Sequence, residues 1–136
     1  MSELLKLLSG PLLFLLTKER FRIVNSSTGA SFGDASVTLR SEYLQLELVR
    51  DRSQISVRFR TSATEDQDDW YWLGVLRRYF NKESPGSDQL DSEGIEFLDQ
   101  WIGLIGEIAA DDLRRAELLD QLAQEREERS NELFGT

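Results

Sequence analysis

Hydrophobic and polar positions change period along this chain. From Ser2 to Arg20, leucines crowd together with Lys and Glu, residue types that favour helix. Pro11 is expected to start a second helical segment or to kink the first, because it lacks an N–H donor and clashes with the preceding turn. Phe21 to Asn25 reads as the strand that begins a sheet, and a small-polar loop with Gly29 and Gly33 follows. The period then becomes two. Ala35, Val37 and Leu39 alternate with Ser36, Thr38 and Arg40. Leu44, Leu46 and Leu48 alternate with Gln45, Glu47 and Val49, and Ile55, Val57 and Phe59 with Ser56, Arg58 and Arg60. Each set is the signature of a half-buried strand.

Parity also constrains the register. A two-residue turn at Ser41-Glu42 pairs Leu39 with Leu44 and Val37 with Leu46. A four-residue turn over 51–54 pairs Leu48 with Val57, Leu46 with Phe59 and Glu47 with Arg58. Both keep the apolar residues on one face, whereas a one-residue slip puts them all in water.

After a polar break, Asp68 or Asp69 is a natural N-cap, and 69–81 reads as a short aromatic-rich helix in which Trp72 shares a face with Leu76, Tyr79 and Phe80. Ser84-Pro85-Gly86-Ser87 marks a turn. Residues 90–129 read as one long helix, with a possible break near Ala110-Asp111-Asp112. Its apolar stripe is Leu98, Ile102, Ile105, Ala109, Leu113, Ala116, Leu119 and Ala123, and its polar end from Gln124 on is expected to project or fray. The predicted architecture is α+β, in one domain over 1–136. A four-stranded antiparallel meander over 21–61 carries an N-terminal helix over 1–20 and the C-terminal helices on one face.

Composition then removes most chemistry. The chain has no cysteine and no histidine, so disulfides, thiolate nucleophiles, His-dependent triads and His-ligated metals are excluded. The formal net charge is -9, which repels a phosphate backbone unless basic groups are segregated. They are partly segregated: residues 1–64 carry nine Lys or Arg against six Asp or Glu, and residues 65–136 carry seven against nineteen. The leucine-rich stretch to Leu16 contains Lys6 and is interrupted by Gly10-Pro11. It reads as a core helix or an oligomer contact, not as a targeting or membrane segment. A cytoplasmic protein is expected.

Four groups of residues are candidates for function. Arg40, Arg58 and Arg60 project from the wet face of the sheet, with Arg22 in the same parity, and suit an anion, an acidic protein patch or nucleic acid. Nucleic-acid-binding sheets add exposed aromatics, and only Tyr43 is expected near this face, so nucleic acid is disfavoured. Glu65 to Asp69, including Asp66 and Asp68, is a carboxylate-rich loop without the spacing of a calcium loop, so no metal or cofactor is expected. Trp70, Tyr71 and Trp72 cannot all face one side of a helix, so Trp70 or Tyr71 is expected to be exposed at an interface. Asp88, Asp91, Glu96 and Asp99 form an acidic surface fit to meet a basic protein.

The segments Phe21 to Ser26, Ser31 to Leu39 and Leu46 to Arg52 resemble small bacterial α+β proteins, some of them similar to the immunity proteins of bacterial toxin systems. That resemblance covers roughly residues 1–80 and implies no catalytic residue. The expectation is a non-enzymatic protein-binding module, an immunity-type inhibitor of a basic partner. It would bind through Trp70, Tyr71 and the acids Asp66, Asp68, Asp88, Asp91, Glu96 and Asp99. The alternatives are self-association as a homodimer through the 98–123 stripe, and an anion or small-ligand site on the sheet arginines.

Overall fold

A computed structural model describes residues 1–28, 34–62 and 70–135. Two short helices, α1 (Ser2–Leu8) and α2 (Leu13–Thr17), open the chain. Strands β1 (Arg22–Thr28), β2 (Ala35–Arg40), β3 (Leu44–Asp51) and β4 (Gln54–Thr61) follow. A short strand β5 (Tyr71–Trp72) runs straight into α3 (Leu73–Asn81). The long helices α4 (Ser92–Ala110) and α5 (Asp112–Phe134) complete the fold. The sheet is an antiparallel meander in the order β1-β2-β3-β4-β5. The class is therefore α+β, with five strands where the hydrophobic pattern predicts four.

The fifth strand comes from residues expected to open the aromatic helix. Tyr71 pairs with Phe59 and Trp72 with Arg58. Aromatic residues favour strands, and period-two geometry suits three consecutive rings better than a helix does. It sends Tyr71 into the core, 4% exposed, and Trp70 and Trp72 to the other face. Trp72, expected in the core, is 37% exposed.

The β3–β4 register is as parity predicts, including Leu48 opposite Val57 and Glu47 opposite Arg58, but the strands run on to the pair Asp51–Gln54 around a tighter turn at Arg52-Ser53. The β2–β3 register differs by two residues: Leu39 pairs with Leu46 and Val37 with Leu48. The turn lies one residue later, at Glu42-Tyr43. Ser41 N–H donates to the Leu44 carbonyl at 2.9 Å, and Ser41 Oγ accepts from Leu44 N–H at 3.2 Å. A two-residue shift preserves parity, so the hydrophobic pattern cannot distinguish the two registers.

One face of the sheet meets the helices in a single apolar core. Val37, Leu39, Leu44, Leu46, Leu48, Val57 and Phe59 pack there with Leu4, Leu8, Leu12 and Leu15 from the N-terminal segment. Leu73, Val75, Leu76, Phe97, Leu98, Ile102, Ile105, Leu118 and Leu122 come from the later helices.

The long helix expected over 90–129 is two helices. Asp111 adopts an extended conformation, and its Oδ1 accepts from Leu113 N–H at 3.0 Å and Arg114 N–H at 3.2 Å. Those bonds satisfy orphan donors at the start of α5. The turn breaks the apolar stripe: Ile105 and Ala109 are buried in α4, but Leu113 is 84% exposed, and α5 buries Leu118 and Leu122 instead. Nor does the end of α5 project. Arg78, on α3, donates Nε to Glu125 at 2.9 Å, Nη2 to Glu128 at 3.4 Å and Nη1 to Glu132.

Candidate functional site

The helix-free face of the sheet carries polar rows that cross the strands. One row is Arg22–Arg40–Gln45–Arg60 and the next is Asn25–Thr38–Glu47–Arg58–Trp72. Two arginines near the β4–β5 edge are held in fixed orientations. Arg58 Nε donates to Glu47 Oε1 at 2.8 Å, and Arg60 Nε donates to Gln45 Oε1 at 3.1 Å. Trp70 lies against both guanidinium groups, with its ring centroid 4.4 Å from Arg60 and 4.6 Å from Arg58. Trp72 flanks Arg58 at 5.6 Å. The result is a cation–π cluster on an otherwise polar face. Each arginine uses its Nε to bond a neighbouring strand's side chain.

Glu47 neutralises part of this charge. Its ion pair with Arg58 is half-exposed, so it is worth little to stability and serves chiefly to orient the guanidinium. The acidic C-terminal helix does not form the other wall: α5 packs on α3 and α4. It touches the β5 edge through Arg126, whose guanidinium lies 4.6 Å from the Tyr71 ring and donates to the Trp70 carbonyl at 3.4 Å.

The other predicted site residues separate into different roles. Tyr71 is buried and belongs to the core. Asp88 Oδ1 accepts from Gly74 N–H at 2.8 Å and pairs with Arg129 at 2.9 Å. It thereby caps α3 and ties it to α5, and it is half-buried. Asp91 is the N-cap of α4, accepting from Gly94 N–H at 2.9 Å. Glu96 and Asp99 are exposed on α4. Asp66, Asp68 and the rest of the carboxylate-rich loop lie outside the described residues. Arg40 stands in the row beside Gln45, and Trp70 joins Arg58 and Arg60. Among the described residues, Asp88 and Asp91 serve as helix caps, Glu96 and Asp99 are exposed on α4, and Arg58 and Arg60 share Trp70.

A second charged group sits at the far end of α3. Arg77 is buried and makes a bidentate pair with Glu83, both contacts at 2.8 Å, while Glu93 approaches at 3.5 Å. The hydrogen bond from Arg77, reinforced by Asn81, holds the Glu83 carboxyl below its ordinary value. Hydrogen bonds from Ser84 and Arg78 do the same for Glu132. Among the described residues no group of three or more carboxylates is arranged to hold a metal ion. None of their helices is long and apolar enough to cross a membrane.

Fold and face together define a small α+β protein with a helix-backed antiparallel sheet and a half-buried arginine–tryptophan cluster on its other face. No family model, curated protein or solved structure matches the chain.

Trp70 is among the residues expected at an interface, but its place beside Arg58 and Arg60, and that of Trp72, is what the helical reading of 69–81 misses. Their signal is present: a run of three aromatics after a polar break is itself a strand cue. Once that strand pairs with β4, parity alone puts both tryptophans beside Arg58 and Arg60.

Proposed function

We propose that the protein is a non-enzymatic binding module that recognises an acidic surface of a partner protein through the arginine–tryptophan face of its sheet. The stacking of Trp70 across Arg58 and Arg60 carries this reading. Tryptophan and arginine supply most of the energy in protein interfaces, and guanidinium groups held by their Nε atoms lose little further entropy on meeting a carboxylate. Eleven of the 25 acids sit on α4 and α5 behind the sheet, which favours approach of an acidic partner from the arginine face. The immunity-type reading, an inhibitor of a basic partner, rests on the resemblance carried by residues 21–52 and goes with the second reading below.

A second reading keeps the basic partner. Glu96 and Asp99 lie exposed on α4 beside Glu93, and an acidic helix face of this kind suits a cationic protein. Surface plasmon resonance on immobilised polyglutamate and polylysine separates the two. The sheet-face reading expects salt-sensitive binding to polyglutamate that is lost in Arg58→Glu/Arg60→Glu and kept in Glu96→Lys/Asp99→Lys. Binding to polylysine alone, abolished by the second pair of substitutions, contradicts it.

A further inference from the structure

Strand β1 is the outer strand of the sheet, and all seven of its residues are exposed. No described strand pairs with its outer edge. Ile23 pairs with buried Leu39 and so points to the helical side, yet it is 46% exposed. The helix layer therefore stops short of this strand. The register shifts between Ile23 and Asn25, and Val24, at that bulge, is 47% exposed. An unpaired edge of this length offers a row of backbone donors and acceptors to another strand.

The chemistry of the edge is one-sided. Residues 20–28 contain two arginines and no carboxylate. Arg22 stands directly opposite Arg40, so the row reaches the outer edge of the sheet with an arginine. A strand added outside β1 sets a side chain on the free flank of Arg22, in the row that continues to Gln45 and Arg60. A carboxylate there completes the row with the opposite charge. Strand β1 of a second copy cannot supply it, because it has no acid, and each copy brings a net charge of -9.

We propose that the β1 edge is a strand-addition site for an extended acidic segment of a partner protein. The segment pairs with β1 through its backbone and places a Glu or Asp beside Arg22. The site is three strands away from the Trp70 cluster, so it stands whether or not that cluster binds a partner.

The probe is a fluorescein-labelled ten-residue peptide alternating Glu with Thr and Val, compared with the same peptide carrying Lys for Glu, each titrated into the full chain. Fluorescence anisotropy is expected to show the Glu peptide binding at least about tenfold more tightly, and Arg22→Glu is expected to reverse the preference. Circular dichroism of Arg22→Glu matching the parent protein is the control, since an unfolded chain this acidic also attracts the Lys peptide. Amide exchange with the Glu peptide bound is expected to slow at alternate residues of 22–28. Equal affinity for the two peptides, or unchanged exchange over 22–28, overturns the proposal. So does light scattering that shows a dimer of the free protein in which these same amides are protected, since the edge then belongs to a second copy.

Discussion

At the scale of single residues, Gly74 shows how closely α3, the turn before α4 and α5 are fitted together. A Cβ at this position would lie 2.7 Å from both Asp88 Oδ1 and Arg129 Nη2, so a side chain here displaces the cap of α3 and its tie to α5. Gly74→Ala is expected to cost about 1–3 kcal/mol, the range for overpacking a close-fitted site, measured by urea unfolding. Gly86 faces the Gly74 carbonyl and has φ +89°, where an L side chain adds about 1–2 kcal/mol of backbone strain. The carboxylates held by arginines give a pH dependence. Glu83 and Glu132 have folded pKa values below the ordinary 4.5, so their contribution is complete above pH 4.5 and fades as pH falls through the depressed values. The stability curve is expected to steepen below pH 4.5, and Glu83→Gln to flatten it. A curve that Glu83→Gln leaves unchanged contradicts the role assigned to that pair.

At the scale of elements, the strands are legible because one face is buried and parity is strict. The β2–β3 register is not, because a shift of two residues costs nothing in that pattern; the observed register carries Ser41–Leu44 bonds at its turn that the alternation does not report. The end of α5 reads as solvated because its core contacts are few. Arg78, two turns into sequence-distant α3, is what holds it, and no local period reports that pairing. Arg78→Met is therefore expected to speed amide exchange over residues 125–134 while leaving β2 to β4 protected. Leu122→Ala removes a fully buried side chain and is expected to cost about 2–5 kcal/mol. The stripe from Leu98 to Ala123 fails as a continuous seam because Asp111 turns the chain. Leu113→Ser is accordingly expected to change stability by less than about 0.5 kcal/mol and to leave the mass from light scattering unaltered. A change in mass would restore the stripe as an interface. Of the candidate site, the arginines were legible by parity and Trp70 as an interface residue; the placement of both tryptophans beside the arginines was not, because a helix and a strand compete for Trp70-Tyr71-Trp72 and only pairing with β4 settles the contest.

At the scale of the whole molecule, charge and layer coincide. Helices α4 and α5 carry eleven of the 25 Asp and Glu residues, and the sheet face turned away from the described helices carries Arg22, Arg40, Arg58 and Arg60 beside Glu47. That asymmetry is the basis for orienting an acidic partner toward the sheet. The three tryptophans offer a direct test. Trp70 and Trp72 lie in the arginine cluster, whereas Trp101 stacks on Phe80 at 5.2 Å and donates its Nε1–H to Asn81 at 3.0 Å, away from that face. Their indole N–H signals can be followed separately by NMR during a titration with hexaglutamate. The account predicts that the Trp70 and Trp72 signals move together with added hexaglutamate, that salt reverses the shift, and that the Trp101 signal stays in place. Stationary Trp70 and Trp72 signals, with hexalysine instead shifting the amides around Glu96 and Asp99, would contradict it.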